Sequence, residues 1–429
     1  MEMIIDRSLQ PSIRAVDQVS VMQARRFDLD NGIPVYAITA GFQDLIKLEL
    51  IFPNKHFDPK NPLLDSVTNR MMAEGTSKYT AEQLAESIDY YGAFYETDEN
   101  SDFTSINLFT LNKHLPETLP FLTAILHNPV FPERELNIKV QNSKQRLAVE
   151  NEKVSSLARR KFNETIFGGE HPYGHFVQKE DYDLIQREDL AAHHRLKYNA
   201  SNCTIIISGL VRDESIQLLN KFLGQRRETA SNGGLPQGIP FGSGLPGRFH
   251  LEKENAVQSA YRIGKPFFNR THTDYPGMAV LNTILGGYFG SRLMSNIRED
   301  KGYTYSIGSA IVSMKQGGYF FITAEVGAEV TNAAIEETYK EIIRLQQEPV
   351  DSEELDMVRN FMTGTFLKST DGAFQLAERF KSVYLYGLDY TYYDRYLDKI
   401  KNIGADEIQS LAVQYLKPES FYQVVVGRK

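Results

Sequence analysis

His171-Pro-Tyr-Gly-His175 sets two imidazoles four residues apart, the spacing at which one helix face holds a divalent metal. Pro172 and Gly174 oppose a helix there, so the segment reads as a turn whose rings need not converge. His193 and His194 are adjacent and point to different sides of a helix. Asp189 stands four residues before His193 and could pair with it, as surface electrostatics or as a catalytic dyad. His56, His114, His127, His250 and His272 stand apart in the chain. The single cysteine, Cys203, lies in the apolar run Cys203-Thr-Ile-Ile-Ile-Ser208, which suits a small buried thiol better than a reactive one. With one cysteine there is no disulfide framework and no cysteine-rich zinc site. Gly242, Gly244 and Gly247 spell G-x-G-x-x-G, but no strand leads in and Pro246 breaks the loop-to-helix passage that a dinucleotide requires.

The elements that would position such residues come from a chain of 429 residues, 41% of them hydrophobic and 11% aromatic, enough for two or more cored domains. A net charge of -8, spread along the sequence, leaves no basic stripe for nucleic acid. The N-terminus shows no basic segment followed by an apolar core and cleavage site, and no apolar run is long enough to span a bilayer. The expected location is cytoplasmic, or periplasmic if a signal peptide has been trimmed, with no membrane partner.

Arg187-Glu-Asp-Leu-Ala-Ala-His-His-Arg-Leu-Lys-Tyr198 leads into the strand-like Asn202-Cys-Thr-Ile-Ile-Ile-Ser-Gly209. Ala405 to Leu416 leads in the same way into Ser420-Phe-Tyr-Gln-Val-Val-Val-Gly427. Pro129 to Leu136 likewise matches Pro349 to Asp356. The chain therefore reads as a tandem duplication of a roughly 210-residue unit. Within each unit a hairpin at Asn31-Gly32, a strand at Leu45 to Phe52 and a half-buried strand at Thr104 to Thr110 alternate with amphipathic helices. The fold class is α+β, with helices layered on antiparallel-rich sheets. The expected division is 1–228, a Gly/Pro-rich linker over 229–247, and 248–429.

Several phrases stand in a telling order: Glu74-Gly-Thr76 with Thr80-Ala-Glu-Gln-Leu-Ala-Glu86, Gly168 to Gly174, Gly286-Gly-Tyr-Phe-Gly-Ser-Arg-Leu293, and Ile297-Arg-Glu-Asp-Lys-Gly-Tyr-Thr-Tyr-Ser306. Across nearly the whole chain they resemble the pitrilysin/insulinase family of inverted zinc metallopeptidases, which includes the mitochondrial processing peptidase. In active members the helix before the Gly-Thr carries H-x-x-E-H, two histidines for zinc and a glutamate to activate water. Registered on Gly75-Thr76, those positions hold Ser66, Asn69 and Arg70. The resemblance puts the third ligand about 75 residues further on, in a window holding Gln145, Arg146 and Leu147, with Glu150 a turn away. An asparagine that flanks the metal in active members is registered on Tyr91-Gly92 to Tyr95. Serine and asparagine are poor zinc ligands, and a guanidinium repels the ion. The implied chain binds no metal and does not catalyse alone.

Family members that work in pairs divide the task, and the resemblance assigns the noncatalytic chain an Arg and a Tyr seven residues apart, here Arg298 and Tyr305. Both can donate hydrogen bonds to a peptide carbonyl. Alternatively, Arg298 pairs with Glu299 or Asp300 and Tyr305 is a strand core residue. The turn Leu285 to Leu293 lacks the long glycine-rich insertion of the mitochondrial noncatalytic subunit, so presequence recognition has no support. The resemblance thus implies a pseudo-peptidase subunit that substrate-binds through Arg298 and Tyr305. Its partners would be a homologous zinc-bearing chain and an extended peptide added to a sheet edge. The alternatives are a structural scaffold, like the core proteins of the respiratory cytochrome complex, and an active zinc endopeptidase with nonstandard ligands.

Overall fold

A computed structural model describes residues 21–55, 57–225 and 244–428. The expected linker at 229–247 and Gly242 therefore lie largely outside the described residues, as does His56. The first half contributes strands β1 (Arg25–Asp28), β2 (Pro34–Thr39), β3 (Leu45–Pro53), β4 (Phe94–Glu99), β5 (Phe103–Leu111) and β6 (Thr204–Gly209). The second contributes β7 (Gly247–Glu252), β8 (Gln258–Phe267), β9 (Ile307–Met314), β10 (Gly317–Gly327) and β11 (Tyr422–Gly427).

The duplication is written in the pairing. One sheet runs β1-β2-β6-β3-β5-β4 and the other β7-β11-β8-β10-β9. Apart from β1, the order repeats, and in each sheet only the β2/β6 or β7/β11 contact is parallel. The glycines that close β6 and β11 have a shared cause. Gly209 and Gly427 take φ of 126° and 153°, and a Cβ on Gly209 would stand 2.0 Å from the Leu45 carbonyl oxygen.

Side chains alternate across each sheet, as the period of a strand requires. Ile46, Leu48, Leu50 and Phe52 of β3 join the helices of their own half in one core. Tyr261 and Ile263 of β8 do the same in the second half. The opposite faces are covered by an exchange. The helix Val154–Phe167 sets Val154, Ala158, Phe162 and Ile166, spaced by four, onto Ala260, Tyr422, Val424 and Val426 of the second sheet. The helix Ala373–Tyr384 lays Leu376, Ala377 and Phe380 on Ile38, Ile51 and Ile206 of the first. Fully burying one such phenylalanine contributes about 1.5–3 kcal/mol. Thr104 to Leu108 is accordingly buried on both faces, not half-buried as its alternation predicts. Among the described residues no helix is long and apolar enough to cross a membrane.

Candidate functional site

The helix Leu64–Met71 carries the degenerate motif and ends in the turn Met72–Glu74, after which Thr80 and Gln83 cap the next helix reciprocally. A cavity of about 470 Å³ opens beside it, lined by Ser66, Arg70, Tyr95, Asn142, Arg146 and Tyr182 among others. Of the third-ligand window only Arg146 reaches this cavity; Gln145, Leu147 and Glu150 do not line it. Glu150 is drawn instead to Lys153 at 2.6 Å and Ser156 at 3.0 Å.

Each motif position is satisfied within the protein. The Ser66 hydroxyl donates to the Leu63 carbonyl oxygen at 3.2 Å. The Arg70 guanidinium pairs with Glu99 at the end of β4, offsetting part of the rise that burial imposes on that carboxyl. Asn69 is turned away from the cavity and fully buried. Its amide donates to the Asp98 and Ser105 carbonyl oxygens, both at 3.2 Å, and its oxygen accepts from the Tyr198 hydroxyl at 3.1 Å. A carboxylate at 69 would face two carbonyl oxygens. Tyr95 lines the cavity with its hydroxyl buried and, among the described residues, without a hydrogen-bond partner; burial followed by Glu74 pushes that phenol well up.

At the registered positions that line the cavity, one hydroxyl, two guanidinium groups and a high-pKa phenol offer no ligand of the kind zinc takes; Glu74, Glu96 and Glu135 also line it, but not as a group that could hold an ion. Among the described residues no three His, Cys, Asp or Glu side chains are placed to hold a metal ion. His171 and His175 lie in a turn, where the His171 Nδ1 accepts from the Tyr173 amide at 3.0 Å and His175 contacts Asp181 at 3.2 Å. His193 pairs not with Asp189 but with Asp65, at 2.8 Å. Asp65 also accepts from Lys197, and although burial raises its pKa, His193 and Lys197 outweigh this and hold it low. That cluster joins two helices far apart in sequence, so local spacing gave no sign of it. Cys203 is buried, its thiol pushed up by desolvation.

In the second half the backbone is fixed, Tyr305 is exposed and Arg298 is half-exposed over an aromatic ring. Arg298 lies in a π-helical segment, Met294–Asp300, a winding that often marks functional sites. Asn296 anchors that segment to Glu341 at 2.7 Å, and Arg292 forks onto Glu354 at 2.9 and 2.7 Å. Beside Tyr305, Thr304 donates to the Glu325 carbonyl oxygen at 2.6 Å. Among the described residues Arg298 forms no ion pair with Glu299 or Asp300; its guanidinium lies 4.6 Å above the Phe289 ring. Tyr305 is 91% exposed and is no strand core residue. Neither residue lines the first-half cavity. Gly247 opens β7 and not a helix, so no helix N-terminus follows the G-x-G-x-x-G.

Two sheets of matching topology, with a cavity at the H-x-x-E-H position, define a duplicated peptidase-type fold. Family comparison agrees. Residues 66–176 match the insulinase (peptidase family M16) model and residues 184–362 the peptidase M16 inactive domain, together more than half of the chain. The chain belongs to the pitrilysin/insulinase family. It is 22% identical to the uncharacterized zinc protease YmxG of Bacillus subtilis, over 84% of this chain and 87% of that protein. It is also 22% identical to the non-peptidase homolog YmxG of Helicobacter pylori, over 86% of each. The crystal structure of a protease from Helicobacter pylori shares the fold, with a TM-score of 0.87 at 14% identity, covering 95% of this chain and 100% of that one. A chain of Complex III2 from Candida albicans does so with a TM-score of 0.74 at 15% identity, covering 94% and 95%.

Proposed function

We propose that this chain is a noncatalytic subunit that pairs with a zinc-bearing homologue and supplies Arg298 and Tyr305 to its peptide substrate. One contrast carries the reading: Ser66, Asn69 and Arg70 are each bonded within the protein, while among the described residues Arg298 and Tyr305 form no ion pair or side-chain hydrogen bond and stand on a pinned backbone, Arg298 over the Phe289 ring. Zinc then resides in the partner, and this chain holds the peptide by donating to main-chain carbonyls. The test is to assay peptide cleavage by an H-x-x-E-H homologue alone, by this chain alone and by the mixture. The mixture is expected to exceed either component. Arg298→Ala and Tyr305→Phe should each lower its kcat about 100-fold, the scale of losing one aimed donor. Equal rates with and without this chain would sink the proposal.

A scaffold role is the second reading, favoured by the likeness to a chain of Complex III2. Stable copurification with unrelated membrane subunits, unaffected by Arg298→Ala, would move the assignment there.

A further inference from the structure

Arg262 on β8 is a buried cation without an anion. It is 9% exposed, and its Nε and Nη1 atoms are buried without a hydrogen-bond partner. Among the described residues no carboxylate forms an ion pair with it, Glu325 on the same sheet face included. The Phe321 ring lies 4.3 Å from the guanidinium. Burial pulls its pKa down to about 10; Tyr319 opposes this and the nearby Arg159 adds to it. The group is still charged at neutral pH, so the absence of a counter-ion is a real deficit.

The duplication supplies an internal control. Arg262 stands opposite Val424, three residues before the glycine that ends β11. Its counterpart in the first sheet is Glu49, opposite Ile206, three residues before the glycine that ends β6. The covering helices also correspond, Leu157-Ala-Arg-Arg160 aligning with Leu376-Ala-Glu-Arg379, so Arg159 matches Glu378. In the first sheet Glu49 and Glu378 meet Lys47 and Lys381 in a closed ring of four charges. In the second sheet the same two places hold Arg262 and Arg159, and Ala260 replaces Lys47. Two positive charges stand where the sister site balances its own.

We propose that Arg262 and Arg159 form a carboxylate-binding site on the helix-covered face of the second sheet, filled by a carboxylate of a bound peptide. The Nε–H and Nη1–H of Arg262 point apart, so a carboxylate takes one of them as a charge-assisted donor, with the Arg159 charge beside it. Phe321, Thr323 and Glu325 on β10 and Gly308 and Ala310 on β9 are only half-buried, which leaves the face open toward the hairpin. Thr323 pairs with Arg262 on one side and Gly308 on the other, so Arg262 is two strand spacings, roughly 10 Å, from edge strand β9. Tyr305 precedes β9 by two residues. Three residues of extended chain would carry a carboxylate from that edge to Arg262. The choice of a peptide as its source rests on the function proposed above.

The test uses the full chain and fluorescent peptides in two matched pairs: free against amidated C-terminus, and an internal Glu against Gln. One pair is expected to show about tenfold tighter binding of its charged member, which identifies whether the carboxylate is terminal or on a side chain. Arg262→Met should erase that difference with a Tm no lower than wild type, because an unpaired buried charge is removed. Arg159→Gln, on an exposed helix position, should reduce the difference without perturbing the core. No difference in either pair, or one that survives Arg262→Met, overturns the site. Succinate separates the two claims. If no peptide binds, the peptide-holding role falls, and a succinate-dependent rise in Tm that Arg262→Met abolishes keeps the carboxylate site. Absence of that rise removes the site as well.

Discussion

Glu49→Leu is expected to destabilise the chain by about 3 kcal/mol, the scale of breaking a buried ion pair from one side. Glu49 is 2% exposed and accepts from Lys381 at 2.9 Å and lies 3.4 Å from Lys47. Its loss leaves two largely buried ammonium groups sharing Glu378, which is half in solvent and therefore screened. Adding Lys381→Met should recover most of the deficit, since an apolar replacement of the whole pair is often neutral. A thermodynamic cycle over the four proteins reads the coupling directly. The pH dependence has a definite sign. Glu49 and Glu378 raise the Lys381 pKa against the effect of burial, so that contribution is present below the unfolded lysine value of about 10.4 and fades as pH rises through the folded one. Lys381 and Lys47 lower Glu378 despite burial, so its share is present above about pH 4.3 and is lost in acid. The gap between wild type and Glu49→Leu should therefore be widest between these limits. A coupling near zero would mean that the four charges merely coexist.

That network also marks where the sequence stops being legible. The closing strands at Thr204–Gly209 and Tyr422–Gly427, the hairpin at Asn31-Gly32 and the capped helix after Thr80 follow from local rules: β-branched runs, turn residues and a capping box. The duplication was legible because both halves obey those rules in the same order. What stayed hidden is non-local. Nothing in Leu157-Ala-Arg-Arg160 or Leu376-Ala-Glu-Arg379 says that each helix covers the other half's sheet, because an apolar stripe specifies a face and not a partner. Thr104 to Thr110 misled for the same reason: its polar positions are covered by residues from elsewhere.

The site divides similarly. Ser66, Asn69 and Arg70 could be registered on Gly75-Thr76, but their satisfaction could not be foreseen, since Asn69 bonds across to β4 and β5 and Arg70 to Glu99. The third-ligand window narrows to Arg146 only when the cavity is seen. The pairing of His193 with Asp65, and not with Asp189, depends on two helices meeting in space.

Restoring metal ligands should succeed where restoring the base should not. Ser66→His, Arg70→His and Arg146→Glu place two imidazoles and a carboxylate at cavity-lining positions, and metal analysis after dialysis is expected to find stoichiometric zinc. Ser66→His with Arg70→His alone should retain far less, because Arg146 keeps its positive charge at the third corner. Adding Asn69→Glu should cost about 3 kcal/mol or more, since the buried carboxylate loses two donated hydrogen bonds and faces the Asp98 and Ser105 carbonyl oxygens. The unfolding midpoint measures that cost independently of zinc. If the fourfold variant instead folds like wild type, Asn69 is not the lock that separates this cavity from a catalytic one, and its inward turn is incidental. If the threefold variant takes up no zinc, the mismatch lies deeper than side-chain identity, in the spacing between the helix Leu64–Met71 and the helix Glu133–Glu152 that carries Arg146.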